Sequence, residues 1–246
     1  MQMLSVLVDY DNVDEKLKRA GVIEAAAEIS RLIPAAVITQ YDAIRVRIYG
    51  GWRSGGNLTR VAQAMLPVIR QESPRPFTSG SGTERHTVRL ELVLADTPAW
   101  SGSIFNETFV TERAARKFRS RREPWLGCAN ETDCGMAHLR QIKYSDTCQA
   151  SSCALKAQDL LVRDEQKMVD TLIVADMAYL ALQERVKNIV VVSSDIDMWP
   201  GVLLATSAGC LVTHIHTKEG WKTQHHLRRM LENGRSDKFY EQVSPR

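Results

Sequence analysis

Apolar residues along the chain fall into short runs separated by polar or glycine-rich stretches. Leu4-Ser5-Val6-Leu7-Val8 and Ile189-Val190-Val191-Val192 are dominated by branched side chains and bounded by polar residues. Such runs predict strands buried on both faces of a parallel sheet. Ile44–Tyr49 alternates and predicts a strand ending at Gly50-Gly51, and Leu90–Leu94 and Cys210–Ile215 predict two more. Between them, Val22–Ile33 has the spacing of an amphipathic helix, Asn57 can cap a helix over Leu58–Arg70, and Lys167–Leu182 and Gly201–Ala208 are also expected to be helical. Strands that alternate with helices predict an α/β fold with a doubly wound parallel sheet, because parallel neighbours need a crossover that a helix supplies. The expected organisation is one domain over residues 1–246, interrupted by an insertion at 97–164 and closed by a helical tail at 218–246. No internal repeat is visible.

Composition narrows this picture only slightly. A chain of 246 residues with 44% hydrophobic and 25% charged residues has the make-up of a globular domain large enough to carry an insertion. The net charge of +3 is too small to imply a polyanionic partner by itself. No apolar stretch approaches the roughly 20 residues that span a bilayer. The N-terminus enters a strand pattern without the layout of a signal peptide, so a cytoplasmic protein with no membrane partner is expected. Four of the five cysteines lie in one short segment, which favours metal binding or free thiols over a disulfide framework.

Carboxylates stand at the ends of two apolar runs: Asp9 follows the first, and Asp195 and Asp197 follow Ile189–Ser194. In open α/β sheets, ligands bind outside the carboxyl ends of the strands, so these acids are expected to share one crevice. Acids that meet without equal basic partners repel, and divalent cations are the usual remedy. An Asp in this position also caps the helix that follows a strand, and that alternative stays open for each residue taken singly.

Val8-Asp9-Tyr10-Asp11-Asn12 resembles the opening D-x-x-N motif of NYN domains, which belong to the PIN-like nuclease superfamily. Gln166-Lys167-Met168-Val169-Asp170 resembles their K-x-V-D segment, and Val192–Pro200 is similar to their S-G-D-S-D-F-x-P motif, with Ser194 in place of glycine and Met198 in place of phenylalanine. Gly209-Cys210-Leu211-Val212 fits the glycine and strand that follow. The resemblance covers about 1–95 and 163–217. It implies that Asp9, Asp170, Asp195 and Asp197 hold Mg²⁺ or Mn²⁺, with Asn12 as an outer ligand or orienter, and that the chain hydrolyses phosphodiester bonds of RNA, endonucleolytically. An all-acid pocket can accept an anionic phosphodiester only through intervening cations, which agrees with that implication. Asp170 early in a helix is expected to be kept ionised by the positive dipole end. Asp176, six residues on, lies about 240° around the helix and should not share its face. Lys167 is either a phosphate contact or a solvated lysine, and Ser193 and Ser194 either bond a metal water or phosphate or cap the next helix.

Two other readings compete. Asp9-Tyr10-Asp11-Asn12-Val13 also resembles the D-x-D-x-T/V opening of haloacid-dehalogenase-like phosphatases, in which the first Asp is a nucleophile, although Val13 leads into Asp14-Glu15-Lys16 where that family has a glycine-rich start. A binding module that keeps the fold without turnover is the other alternative. The insertion carries its own chemistry. Arg113, Arg116, Lys117, Arg119, Arg121 and Arg122 lie near Phe118 and Trp125, a combination that can grip the phosphates and unpaired bases of nucleic acid, RNA more readily than DNA. Charge runs are also commonly plain solvated faces. Cys128, Cys134, Cys148 and Cys153, with His138 nearby, offer ligands for a structural Zn²⁺, or stand as reduced thiols. His214 and His216, alternating on one strand, and the apolar Cys210 are expected to be structural.

Overall fold

The computed structural model describes residues 2–79, 85–100, 108–114, 162–217, 229, 232 and 237–245. It divides into two compact units, Met1–Phe109 with Gln166–Arg246, and Val110–Glu165. The second unit is bordered by strands β7 (Phe109–Ala114) and β8 (Val162–Lys167).

The first unit is built on a seven-stranded sheet. Its strands are β1 (Met3–Asp9), β2 (Ala43–Tyr49), β5 (Arg75–Ser79), β6 (His86–Ala95), β9 (Asn188–Val192), β10 (Leu211–Ile215) and β11 (Tyr240–Val243), in the spatial order β11-β10-β9-β1-β2-β6-β5. Every pairing is parallel except β5 with β6. A two-residue hairpin, β3 (Arg53–Ser54) and β4 (Asn57–Leu58), lies between β2 and the next helix. From β1 the chain builds outward through β2 and β6, then returns to the other side of β1 and builds outward again through β9, β10 and β11. The boundary between β1 and β9 is therefore the topological switch point of the sheet, where α/β proteins place their ligand crevice.

Side-chain alternation along β1 explains why helices cover both faces. Leu4, Val6 and Val8 point into one core with Ile29 of helix α2 (Val22–Arg31), Val37 of α3 (Ala35–Ile38) and Met65 of α4 (Arg60–Glu72). Leu7 points to the opposite core with Ile173 and Met177 of α5 (Val169–Leu182) and Val202 of α6 (Trp199–Ser207). The short helix α1 (Glu15–Ala20) precedes α2 and is capped by Asp14, whose carboxylate accepts from Lys16 N. Gly201 lets α6 pack closely on α5: a Cβ there would lie 2.8 Å from Met177 Sδ, so the methionine would have to shift.

Several local expectations change. Asn57 belongs to β4, and the cap of α4 is Thr59, whose hydroxyl accepts from Ala62 N. Lys167 ends β8 and does not open α5, which begins at Val169 after Met168 takes a left-handed conformation with φ 70°. Within the tail expected to be helical, 240–243 form a parallel strand, β11. Among the described residues, no helix is long and apolar enough to cross a membrane. Cys210 is buried, as a small apolar residue would be, and burial pushes its thiol up to about 12.

Candidate metal centre

Three carboxylates meet above the switch point. One oxygen from each of Asp170, Asp195 and Asp197 lies within 4.8 Å of the others. Asp170 comes from the first turn of α5, and Asp195 and Asp197 from a 3-10 turn over Ile196–Met198 directly after β9. Sequence places two acids near this turn, and the turn aims both at a third that is 25 positions away along the chain. Asp195 does act as a cap, since Asp197 N donates to its Oδ1 at 3.1 Å. Capping and clustering thus coexist in one residue, with the cap fixing the turn that brings Asp197 into the group.

Asp9 stands beside this group but is not one of the three. Its side chain is 2% exposed at the end of β1, and it makes no cap bond to the turn that follows. Asn12 Nδ2 donates to Asp9 Oδ2 at 2.5 Å, and Ser193 Oγ donates to the same oxygen at 2.9 Å. Asn12 is therefore an orienter of Asp9. Ser193, which sequence reasoning left undecided, also accepts from Asp195 N at 3.0 Å and so links Asp9 to the triad. The parallel pairing of Val8 with Val192 brings these two strand ends together. Ser194 Oγ lies 3.4 Å from His216 Nδ1.

Electrostatics set this region apart. Burial raises the Asp9 carboxyl above its usual range, the bonds from Ser193 and Asn12 partly offset this, and Asp11 and Asp195 add to the rise. Asp170 is pushed up to about 6, first by burial and then by Asp9, Asp195, Asp197 and Asp11. Partial desolvation and four neighbouring acids thus outweigh the dipole at the start of α5 in setting the direction of the shift, and a carboxyl titrating at about 6 still remains mostly ionised near pH 7. Three hard oxygen donors, with no thiolate or imidazole among them, are a set that could hold a metal ion.

Asp176 is excluded from the triad, as its helical position requires. It is fully buried and bonded by Tyr49 Oη at 2.5 Å, Arg47 Nε at 3.1 Å and Ala99 N at 2.8 Å. Arg47 Nη2 also donates to Thr97 O at 2.7 Å, so residues 97–99, the expected start of the insertion, are bonded within the first unit, and the second unit begins only at Val110. Lys167 is half-buried at the end of β8. Met168, next to it, is 38% exposed, and Ile196 between the two turn aspartates is 43% exposed.

The arginine and lysine cluster at 116–122, the cysteines at 128, 134, 148 and 153, and His138 lie outside the described residues. Comparisons of the chain with protein-family models, with curated proteins and with solved structures return no match.

Proposed function

We propose that the chain is a metal-dependent ribonuclease of the NYN type, within the PIN-like superfamily, acting endonucleolytically on RNA in the cytoplasm. The observation that carries this reading is the convergence of Asp170, Asp195 and Asp197 within 4.8 Å beside a buried Asp9, at the switch point of a parallel sheet. Asp170, Asp195 and Asp197 would hold Mg²⁺ or Mn²⁺. A cation so held supplies an activated water and stabilises the charge on the attacking and leaving oxygens of a phosphodiester. Asp9 contributes a fixed negative charge next to the triad. Both of its hydrogen bonds fall on Oδ2, which leaves Oδ1 to face an ion or water. The arginine-rich segment at 113–122, with Phe118 and Trp125, would grip the RNA strand, and Cys128, Cys134, Cys148 and Cys153 would bind one structural Zn²⁺ in the insertion.

A binder without turnover is the second reading, and four neighbouring carboxylates weigh against it, since a plain binder of polyanions gains only repulsion from them. The phosphatase reading needs Asp9 Oδ1 open to a phosphoryl group, and a residue only 2% exposed disfavours access by anything larger than an ion or water. The test is a cleavage assay on single-stranded RNA, structured RNA and DNA with Mg²⁺, Mn²⁺ or EDTA. Internal cleavage of RNA that stops in EDTA supports the reading. Binding without cleavage in every metal would favour the inert module, and undiminished cleavage in EDTA would contradict the mechanism.

A further inference from the structure

Buried and part-buried hydrogen bonds link the C-terminal edge strand to the acidic centre by way of Ser193. Tyr240 Oη and His214 Nδ1 are 3.0 Å apart, and His214 Nε2 lies 2.8 Å from the carbonyl oxygen of Ser193. A carbonyl can only accept, so Nε2 carries the ring proton and Nδ1 accepts from the Tyr240 hydroxyl. Burial, with help from His216, lowers His214 to about 4, which leaves one neutral ring whose tautomer is fixed at both ends. Ser193 then passes the constraint on through its side chain, which donates to Asp9 and accepts from Asp195 N.

Two further contacts tie β11 to the same region. The ring of Tyr240 packs on Trp199, the residue that follows the Ile196–Met198 turn, with centroids 5.4 Å apart. Gln242 Nε2 donates to His216 Nε2 at 2.7 Å, and the far side of that ring meets Ser194 Oγ. A strand that served only to cover a sheet edge would need backbone pairing with β10 and nothing more. Here two of its four side chains reach histidines that touch the two serines preceding Asp195.

We propose that His214 and Tyr240 are positioning residues of the acidic centre, acting through Ser193, so that β11 completes the site. This rests on the metal reading given above and adds to it a group that touches neither metal nor substrate. Groups that orient ligands from outside the coordination shell typically alter metal affinity by about 10–100-fold.

The test is Mn²⁺ affinity of the full chain, measured by electron paramagnetic resonance, with folding monitored by circular dichroism. His214→Leu should bind Mn²⁺ on the order of tenfold more weakly than the unaltered chain. His214→Gln, whose Nε2 can donate to Ser193 O in the same place, should recover most of that loss. Tyr240→Phe removes one oxygen and should weaken binding by a smaller factor, and it decides the matter if His214→Leu fails to fold. Mn²⁺ affinity equal to that of the unaltered chain in folded Tyr240→Phe, and in His214→Leu wherever it folds, would overturn the proposal and make the ring a packing element only. Absence of Mn²⁺ binding in the unaltered chain would instead overturn the metal reading, and this inference with it.

Discussion

Two acidic regions near the same sheet end treat their charge in opposite ways. Asp176 is fully buried but meets the Arg47 guanidinium, the Tyr49 hydroxyl and the amide of Ala99. Asp170, Asp195 and Asp197 meet one another and Asp9, and the charges that shift Asp170 all have the same sign. The fold is thus able to place an arginine against a carboxylate where a carboxylate is to be neutralised. Among the described residues the charges that shift Asp170 are all acidic, and a surplus of negative charge that raises its carboxyl to about 6 is what a divalent cation would relieve. Asp176 reads as a structural clamp on residues 97–99, and the triad as three carboxylates that could hold a metal ion.

The largest effect should come from breaking the internally neutralised region. Asp176→Ala strands Arg47, only 13% exposed, without its partner, and should cost about 3–5 kcal/mol of stability in chemical denaturation. Mn²⁺ affinity should stay nearly unchanged in whatever fraction folds, since Asp176 is not among the ligands. Equal loss of affinity would show that the two regions are one.

Changes in the triad and in Asp9 beside it should act the other way. Asp195→Asn or Asp9→Asn should cut RNA cleavage by on the order of 10²-fold, about 2.7 kcal/mol at the transition state, without loss of fold. Asp170→Asn should also raise the melting temperature of the metal-free protein, because it removes one of several repelling charges. Full cleavage in these variants would remove the triad from the chemistry.

The pH dependence follows from Asp170. Its folded carboxyl titrates at about 6, above the value near 3.8 of an unperturbed Asp. Between those values the folded state holds a proton that the unfolded chain has released, so stability falls as pH rises through that window and levels off above it. The melting temperature of Asp170→Asn should therefore gain on that of the unaltered protein between pH 4 and 6 in EDTA, and saturating Mg²⁺ at pH 7 should close the gap. A gap independent of pH would mean that Asp170 titrates normally.

The smallest effect concerns the entry to the site. Met168 holds a left-handed φ of 70° directly before α5, a conformation that glycine adopts without penalty. Met168→Gly should stabilise the protein by about 0.5–1 kcal/mol, read as a rise in melting temperature, and a fall would show that the Met168 side chain packs more than it strains.

What could be read in the sequence tracks burial. β1 and β9 lie in the middle of the sheet with apolar side chains on both faces, and their runs stand out. β5 and β11 are the two edges. β5 carries Pro76 and β11 reads Tyr-Glu-Gln-Val, because an edge strand needs neither a continuous apolar run nor every ladder bond. Neither has a signal that distinguishes it from a loop. Asp9, Asp195 and Asp197 were legible at strand ends and expected in one crevice, and Asp170 joined them only through the family resemblance. Which three carboxylates draw together was not legible, because it depends on where α5 starts: the reversal at Met168 puts Asp170 in the first turn, while Asn12 and Ser193 bond Asp9 beside the group. Nor does spacing reveal that Tyr240 reaches His214 from 26 positions away.

The central claim is that Asp170, Asp195 and Asp197 hold a divalent cation. Its most direct test is a crystal of the full chain soaked in Mn²⁺, with anomalous difference density collected near the manganese edge. A peak within about 2.0–2.6 Å of oxygens from all three aspartates, absent from crystals of Asp195→Asn, is the result expected for an ion with hard oxygen ligands. No peak at saturating Mn²⁺, or a peak confined to other residues, would contradict it.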